Sequence, residues 1–185
     1  MPCELSATLT DITFACTDIP TGGLTRVLIA DYYNVRDNSL ITVSGNDVTV
    51  SPAATGLVTD SDAFDLEFNN KDGFSVFTDV KTVNADGSFS VVPTISVEFP
   101  VMTKAKRDSL QDMSSPYARV VALIETAAGT HHVVGLDFGL YFSVVDGGSG
   151  TTRSEKNRFQ VTLTGEEDTL AYYVADTPGW AAIIA

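Results

Sequence analysis

Short segments of alternating apolar and polar residues dominate the chain. In residues 64–68, Phe64, Leu66 and Phe68 fall on one face of an extended segment, and acidic residues fall on the other. β-Branched and aromatic residues recur in the remaining segments, and both types favour strands. The pattern predicts strands in residues 24–33, 41–50 (a hairpin), 64–68, 74–83, 88–99, 117–126, 131–145, 158–164 and 169–174.

Turn-forming residues separate these segments. Gly45-Asn46-Asp47 predicts the tip of the first hairpin, and NKDG at 70–73 and NADG at 84–87 predict tight turns. Residues 51–61 and 146–152 are small, polar and glycine-containing, so they predict loops.

Three residues are unusual inside the predicted strands. Pro93 lies within residues 88–99, and because proline cannot donate to a strand ladder it predicts an edge, a bulge or a break. Gly135 and Gly139 lie within residues 131–145, where glycine predicts bulges or tight curvature.

One short helix is predicted in residues 103–113. Thr103 is a candidate N-cap, and good helix formers follow it. Ala105, Leu110 and Met113 would form a narrow apolar stripe against a sheet. Three basic residues of this helix either belong to a solvated face or meet an acidic neighbour: Lys104, Lys106 and Arg107.

Length and composition predict one β-rich domain over residues 1–185. Hydrophobic residues make up 44% and charged residues 19%, which disfavours disorder. No apolar run reaches the roughly 18 residues of a membrane helix, and residues 1–11 lack the features of a secretory signal. The apolar residues 180–185 either pack on the chain's own core or anchor on a neighbouring subunit.

The excess of acidic over basic residues limits which partners the chain can bind. A formal net charge of −13 repels nucleic acid on average, so the chain is not expected to grip DNA. The acidic residues either keep the protein soluble or line a channel through which DNA slides without binding.

The cysteines and histidines do not form a metal-binding pattern. Cys3 and Cys16 are either free thiols or close one small N-terminal loop, and no CxxC pair accompanies them. His131 and His132 are adjacent in a predicted strand and point to opposite faces, so they cannot chelate one metal together. No motif marks a nucleophile beside either histidine.

The acidic triplet Glu166, Glu167 and Asp168 could be an acid/base pair, a ligand set or a solvated turn. It follows Thr164-Gly165, which opens a turn, and no partner of a suitable type is fixed nearby. A two-carboxylate hydrolase also needs a cleft. We therefore predict a turn that lies at a subunit contact.

Two other stretches fail as binding sites for small ions or phosphates. Asp60 and Asp62 lack the further ligands and the closing glutamate of a calcium loop. Residues 147–150 are glycine-rich, but no lysine follows at the spacing of a phosphate-binding loop. The sequence predicts no catalytic residues, no metal and no cofactor, and hence no enzyme.

Several stretches together resemble the tail tube proteins of tailed bacteriophages. The resembling features are Cys3, Cys16, Asp18, Gly22-Gly23, the strand at 24–30, the basic helix at 104–110, the glycine-marked strand pair at 120–139, and the TGEE-containing segment at 159–174. The resemblance covers most of the chain, although no single motif is diagnostic.

The resemblance implies a mainly β fold, a single β-sandwich or barrel domain with one short flanking helix. An N-terminal arm (about residues 1–20) and an apolar C-terminal tail (about 175–185) would extend from it. It also implies hexameric rings whose sheets join into an inner barrel, and rings that stack into a tube with an acidic, DNA-conducting lumen. Residues 51–61 and 146–152 are natural inter-ring contacts.

Partners and location follow from the same resemblance. The chain would bind copies of itself and other virion tail or connector proteins. DNA would pass without specific binding, no membrane would be involved, and the protein would be made in the host cytoplasm and end in the virion tail. The candidate subunit contacts are Trp180, Ile183, Ile184, Glu166, Glu167 and Asp168.

Other functions remain open. A head-tail connector, a head-completion protein or a capsid decoration protein would share the lack of an active site but would not form long stacked tubes. A carbohydrate-binding β-sandwich would need exposed aromatic residues on loops, for which Tyr32, Tyr33 and Trp180 are weak candidates.

Overall fold

The computed structural model describes residues 22–37, 41–44, 47–50, 63–66, 75–149 and 157–174. Its strands form two sheets that enclose a common core, which confirms a mainly β, sandwich-like fold. Cys3, Cys16 and residues 51–61 lie outside the described residues.

The larger sheet has seven strands in the order β2-β3-β11-β8-β7-β1-β4. All neighbours in it are antiparallel except β3 and β11, which are parallel. Its strands are β1 (Leu24–Asp31), β2 (Ile41–Ser44), β3 (Asp47–Val50), β4 (Ala63–Asp65), β7 (Val120–Thr126), β8 (His131–Val134) and β11 (Tyr172–Val174).

The smaller sheet has four strands in the order β5-β6-β10-β9, and all three junctions are antiparallel. Its strands are β5 (Val76–Val83), β6 (Phe89–Pro100), β9 (Tyr141–Gly148) and β10 (Arg158–Thr164). Two helices are present in the described ranges, α1 (Tyr32–Asp37) and α2 (Lys104–Met113).

The core lies between the two sheets and continues on the far face of the larger one. Val27 of β1 and Ile124 of β7 pack against Ile95 of β6 and Val161 of β10, and all four are fully buried. A second cluster forms on the opposite face of the larger sheet, where Leu123 packs among residues of α1, β2, β3 and β11. Burial on both faces explains why β1 and β7 are almost continuously apolar instead of alternating.

Several sequence predictions are confirmed. The 41–50 hairpin forms as β2 and β3, the 84–87 turn joins β5 to β6, and β10 has the predicted bounds. Helix α2 begins after Thr103, whose side-chain oxygen accepts the N–H of Lys106 at 3.3 Å. Leu110 is buried and Met113 is half-buried against the core, whereas Ala105 is exposed.

The predicted strand 24–33 was too long. It ends at Asp31, and Tyr32 begins a second helix that the sequence analysis missed. The Asp31 carboxylate accepts the N–H of Asn34 at 2.8 Å, as an N-cap does, so the bonding of a short polar residue overrides the strand preference of two tyrosines.

The predicted strand 131–145 is in fact two strands in different sheets. Gly135 (φ +87°) and Gly139 (φ +78°) adopt the left-handed conformation, and the chain crosses from β8 to β9 between them. The loop predicted at 146–152 was also wrong at its start, because β9 continues to Gly148. Residues 150–152 lie outside the described residues.

Pro93 is accommodated in an interior strand because it lies at a gap in the ladder. The pairing of β6 with β10 ends at Thr94–Thr164, and the next bridge on that side joins Val91 to Glu167. The Pro93 carbonyl accepts the Thr164 hydroxyl at 3.0 Å, so the missing N–H leaves no bond of the regular ladder broken.

We expect Gly135→Ala to lower the free energy of unfolding by about 2 kcal/mol. A Cβ there would lie 2.8 Å from Leu140 Cγ and 3.0 Å from the Val120 carbonyl oxygen, in a backbone conformation that alanine resists. Gly87→Ala is the matched control, since Gly87 has a similar φ of +84° but nothing within 4 Å of the added Cβ. Equal losses for the two variants in urea unfolding would contradict the packing argument.

Candidate functional site

Glu167 is buried, so the acidic triplet is not a wholly solvated turn. Glu167 is 6% exposed, whereas Glu166 and Asp168 on either side of it are exposed. The Glu167 backbone bridges to Val91 of β6, with N–H···O distances of 2.9 and 3.2 Å. The segment after β10 thus continues as a structural element of the smaller sheet.

The carboxylate of Glu167 holds the crossover between the two sheets. Its oxygens accept the backbone N–H of Asp137 at 2.8 Å and that of Phe138 at 3.3 Å. Both donors lie between β8 and β9, where the chain has left one ladder and not yet joined the next. The side chain therefore satisfies backbone groups that no strand can satisfy.

Asp137 in turn accepts hydrogen bonds from the segment that follows Glu167. Its carboxylate accepts the N–H of Asp168 at 3.2 Å, the hydroxyl of Thr169 at 3.4 Å and the hydroxyl of Tyr172 at 3.3 Å. We name this reciprocal arrangement of Glu167 and Asp137 the carboxyl latch. It joins the crossover to the segment that leads into β11.

The environment of the latch changes the proton affinity of Glu167. Burial raises the pKa of its carboxyl from 4.5 to about 7; the two N–H donors oppose that rise, and the nearby Asp137 and Asp168 charges add to it. The hollow that Glu167 lines with Pro93 and Gly135 is too small to hold a water molecule. A substrate therefore has no access to this carboxyl through that hollow, and the geometry supports a structural role.

His132 lies between the sheets and is half-buried. Its Nε2 is 3.2 Å from the Thr130 hydroxyl, and its ring packs near Phe77 and Tyr173. Burial lowers the pKa of His132, the neighbouring His131 lowers it further, and Asp79 opposes both effects. Such a neutral, packed histidine fits the expectation that neither histidine is a metal ligand, although that expectation stays a prediction.

The outer face of the four-stranded sheet, opposite the core, is nearly uncharged. It presents exposed valines among serine and threonine side chains that are exposed or half-buried. The exposed valines are Val76, Val80, Val92 and Val144. In the described strands, charged residues occur on this face only towards one end: Glu98, Asp146 and Arg158.

Glu98 and Arg158 form an ion pair at that end. Glu98 is 1% exposed, and the Arg158 guanidinium donates to its carboxylate from the adjacent strand. The Arg158 side chain is 29% exposed and so reaches solvent on one side. The pair neutralises two of the three charges on the outer face.

Both edges of the four-stranded sheet are open within the described part of the chain. β5 pairs only with β6, and β9 pairs only with β10. Each edge strand has eight residues, long enough to pair with another strand.

The predicted subunit contacts are only partly placed. Glu166 and Asp168 are exposed and available, Glu167 is committed to the latch, and Trp180, Ile183 and Ile184 lie outside the described residues. The sequence analysis missed Asp137 and the Glu98–Arg158 pair. Only the register of β6 against β10 brings Glu98 and Arg158 together.

No group of metal-ligating side chains comes together in the ranges that the structure covers. Neither helix within them is long and apolar enough to cross a membrane. The chain matches no protein-family model, no curated protein and no solved structure.

Proposed function

We propose that this protein is a self-assembling structural subunit that forms rings through its four-stranded sheet, as a tail tube subunit of a tailed bacteriophage does. The observation that carries the proposal is a sheet whose two edges are open in the described part of the chain and whose outer face is nearly uncharged. Long unprotected edges are a liability in a solitary protein, and pairing them between copies removes it.

The strand order supports edge-to-edge pairing. Since β5-β6-β10-β9 contains three antiparallel junctions, β5 and β9 run in opposite directions. A junction of β9 with β5 of a rotated neighbour would therefore continue the antiparallel alternation. Repeated around a ring, this heterologous contact closes a barrel without edges.

The outer face also suits the lining of a channel that conducts DNA. Phosphates would meet hydroxyl and methyl groups, the acid Asp146 and an arginine already paired with Glu98. The lumen expected from the net charge was more acidic than this, so the proposed channel depends chiefly on the scarcity of cationic groups. Affinity for nucleic acid comes largely from lysine and arginine contacts to phosphates.

We expect electron microscopy of the concentrated protein to show rings with a central hole, and stacks of rings at the highest concentrations. Single rings that never stack would favour the connector alternative. A chain that stays monomeric at every concentration reached would contradict the proposal.

A further inference from the structure

The two ends of the four-stranded sheet differ, and each is exposed. At one end the β5–β6 hairpin projects, and every residue from Lys81 to Phe89 is exposed. At the other end an open cleft of about 290 Å³ lies between α2 and the core. Most of its lining is apolar: Leu66, Phe99, Ala105, Leu110 and Met113.

The hairpin end exposes two large apolar side chains beside a turn that internal hydrogen bonds fix. Val83 is 73% exposed and Phe89 is 51% exposed, although these two residues face each other across the ladder. Internal hydrogen bonds fix the turn: the Asp86 carboxylate accepts both the N–H and the hydroxyl of Ser88, at 3.0 and 2.6 Å. Little ordering entropy would be lost when such an element docks.

The hairpin end and the cleft lie on the same side of one strand. Phe89 and Phe99 are ten positions apart in β6, so both side chains project from the same face, separated by roughly 33 Å. A second copy displaced along β6 by about that distance would bring its Phe89 to the cleft of the first. The cleft exceeds the size of about 150 Å³ at which an apolar cavity accepts a benzene ring.

Asp86 in the hairpin turn and the basic first half of α2 carry opposite charges. The first half of α2 carries Lys104, Lys106 and Arg107 against one acid, Asp108, on a protein with a net charge of −13. The hairpin turn carries Asp86, whose pKa is lowered by the Ser88 hydrogen bonds, so it is ionised at neutral pH. The Lys81 ammonium lies 4.0 Å from the centroid of the Phe89 ring and covers one of its faces.

The backbone beside the cleft is strained. Val101, which directly follows β6, has φ +64° and is 59% exposed. A β-branched residue is rarely found in this conformation, and strained residues concentrate where a surface has a function. The Asn157 carbonyl and side-chain oxygens accept the N–H groups of Val101 and Met102, at 2.9 and 3.1 Å, and hold the strained turn.

We infer that copies of this chain bind head to tail, with the β5–β6 hairpin end of one copy in the α2 cleft of the next. The contact is heterologous, so it propagates along the direction of β6 and does not close on itself as a twofold dimer does. This inference deepens the assembly role proposed above and rests on it, because it supplies the contact through which successive rings stack.

Cysteine trapping tests the contact directly. Val83→Cys, which keeps Phe89 in place, and Ala105→Cys are placed in separate chains that also carry Cys3→Ser and Cys16→Ser, and the two proteins are mixed under oxidising conditions. We expect a disulfide-linked pair containing one chain of each kind, at least tenfold more abundant than for Val80→Cys with Ala105→Cys. Equal yields for the two mixtures would overturn the inference.

Two surface variants test the energetics. We expect Phe89→Ser to weaken stacking by about thirtyfold, the loss typical of a buried aromatic anchor. Val101→Asn should raise Tm by roughly 2 °C, because asparagine accepts the left-handed conformation. Tyr33→Ser, which removes a tyrosine of similar exposure from α1, is the control.

Microscopy of the same variants separates this inference from the proposed function. Rings without stacks in Phe89→Ser, beside stacked rings in the unsubstituted chain, would support both. Stacks that persist in Phe89→Ser would overturn the head-to-tail contact and leave the ring proposal intact. If no chain forms rings, the ring proposal fails, and the disulfide yield still decides whether the two ends meet.

Discussion

Glu167→Ala is expected to destabilise the fold by about 3 kcal/mol at pH 6, because it removes the acceptor of two partly buried backbone donors and a buried side chain. The donors are the N–H groups of Asp137 and Phe138, and the carboxyl oxygens of Glu167 accept both. Removing the side chain also leaves a cavity among the closely packed residues around Glu167, and such a cavity lowers the free energy of unfolding further. Urea unfolding at fixed pH measures the loss.

The stability contributed by Glu167 should fall as pH rises. With a pKa of about 7 in the folded protein and an ordinary value of 4.5 when unfolded, the folded chain binds more protons between these values. Raising the pH in this window therefore favours the unfolded chain. The stabilising contribution of Glu167 is complete below pH 4.5 and is lost as pH rises through 7. The total is on the order of 2 kcal/mol, after allowing for the partial access of solvent.

Glu167→Gln isolates this effect. The amide keeps one acceptor for the crossover but cannot ionise, so we expect a loss of about 1 kcal/mol at pH 5 and no loss, or a gain, at pH 8. Both histidines are unchanged between the two proteins, so their contributions cancel in the difference. Parallel stability profiles for the two proteins between pH 5 and 8 would show that Glu167 does not titrate in this range.

The alternation of residues predicted most strands but not where the chain changes sheets. Residues 131–145 are rich in β-branched and aromatic residues, and strand propensity alone gives no reason to interrupt them. The interruption comes from Gly135 and Gly139, whose positive φ values turn the chain, and from Glu167, some thirty positions away. A contact that distant leaves no local periodic signal.

The latch was missed for the same reason. The local composition around Glu167 is that of a turn, and its exposed neighbours Glu166 and Asp168 behave as that composition predicts. Burial of the central acid depends on Asp137 lying opposite, and residue pairing between separate segments is a property of the fold. Similarly, the open edges β5 and β9 emerge only from the strand order.

Arg158→Met is expected to cost about 3 kcal/mol, the loss typical of breaking a buried ion pair by removing one partner. It removes the guanidinium beside Glu98, a carboxylate that is 1% exposed and therefore poorly solvated. Glu98→Met should cost less, about 1 kcal/mol, because Arg158 is 29% exposed and can turn to water.

Replacing both residues together distinguishes a pair that stabilises from one that only avoids a penalty. Methionine at both positions buries flexible apolar side chains next to each other, and we expect the double variant to recover to within about 1 kcal/mol of the original protein. Chemical unfolding of the four proteins forms a double-mutant cycle. If the two single losses simply add in the double variant, Glu98 is satisfied by other neighbours, and Arg158 contributes to the sheet through its packed alkyl chain.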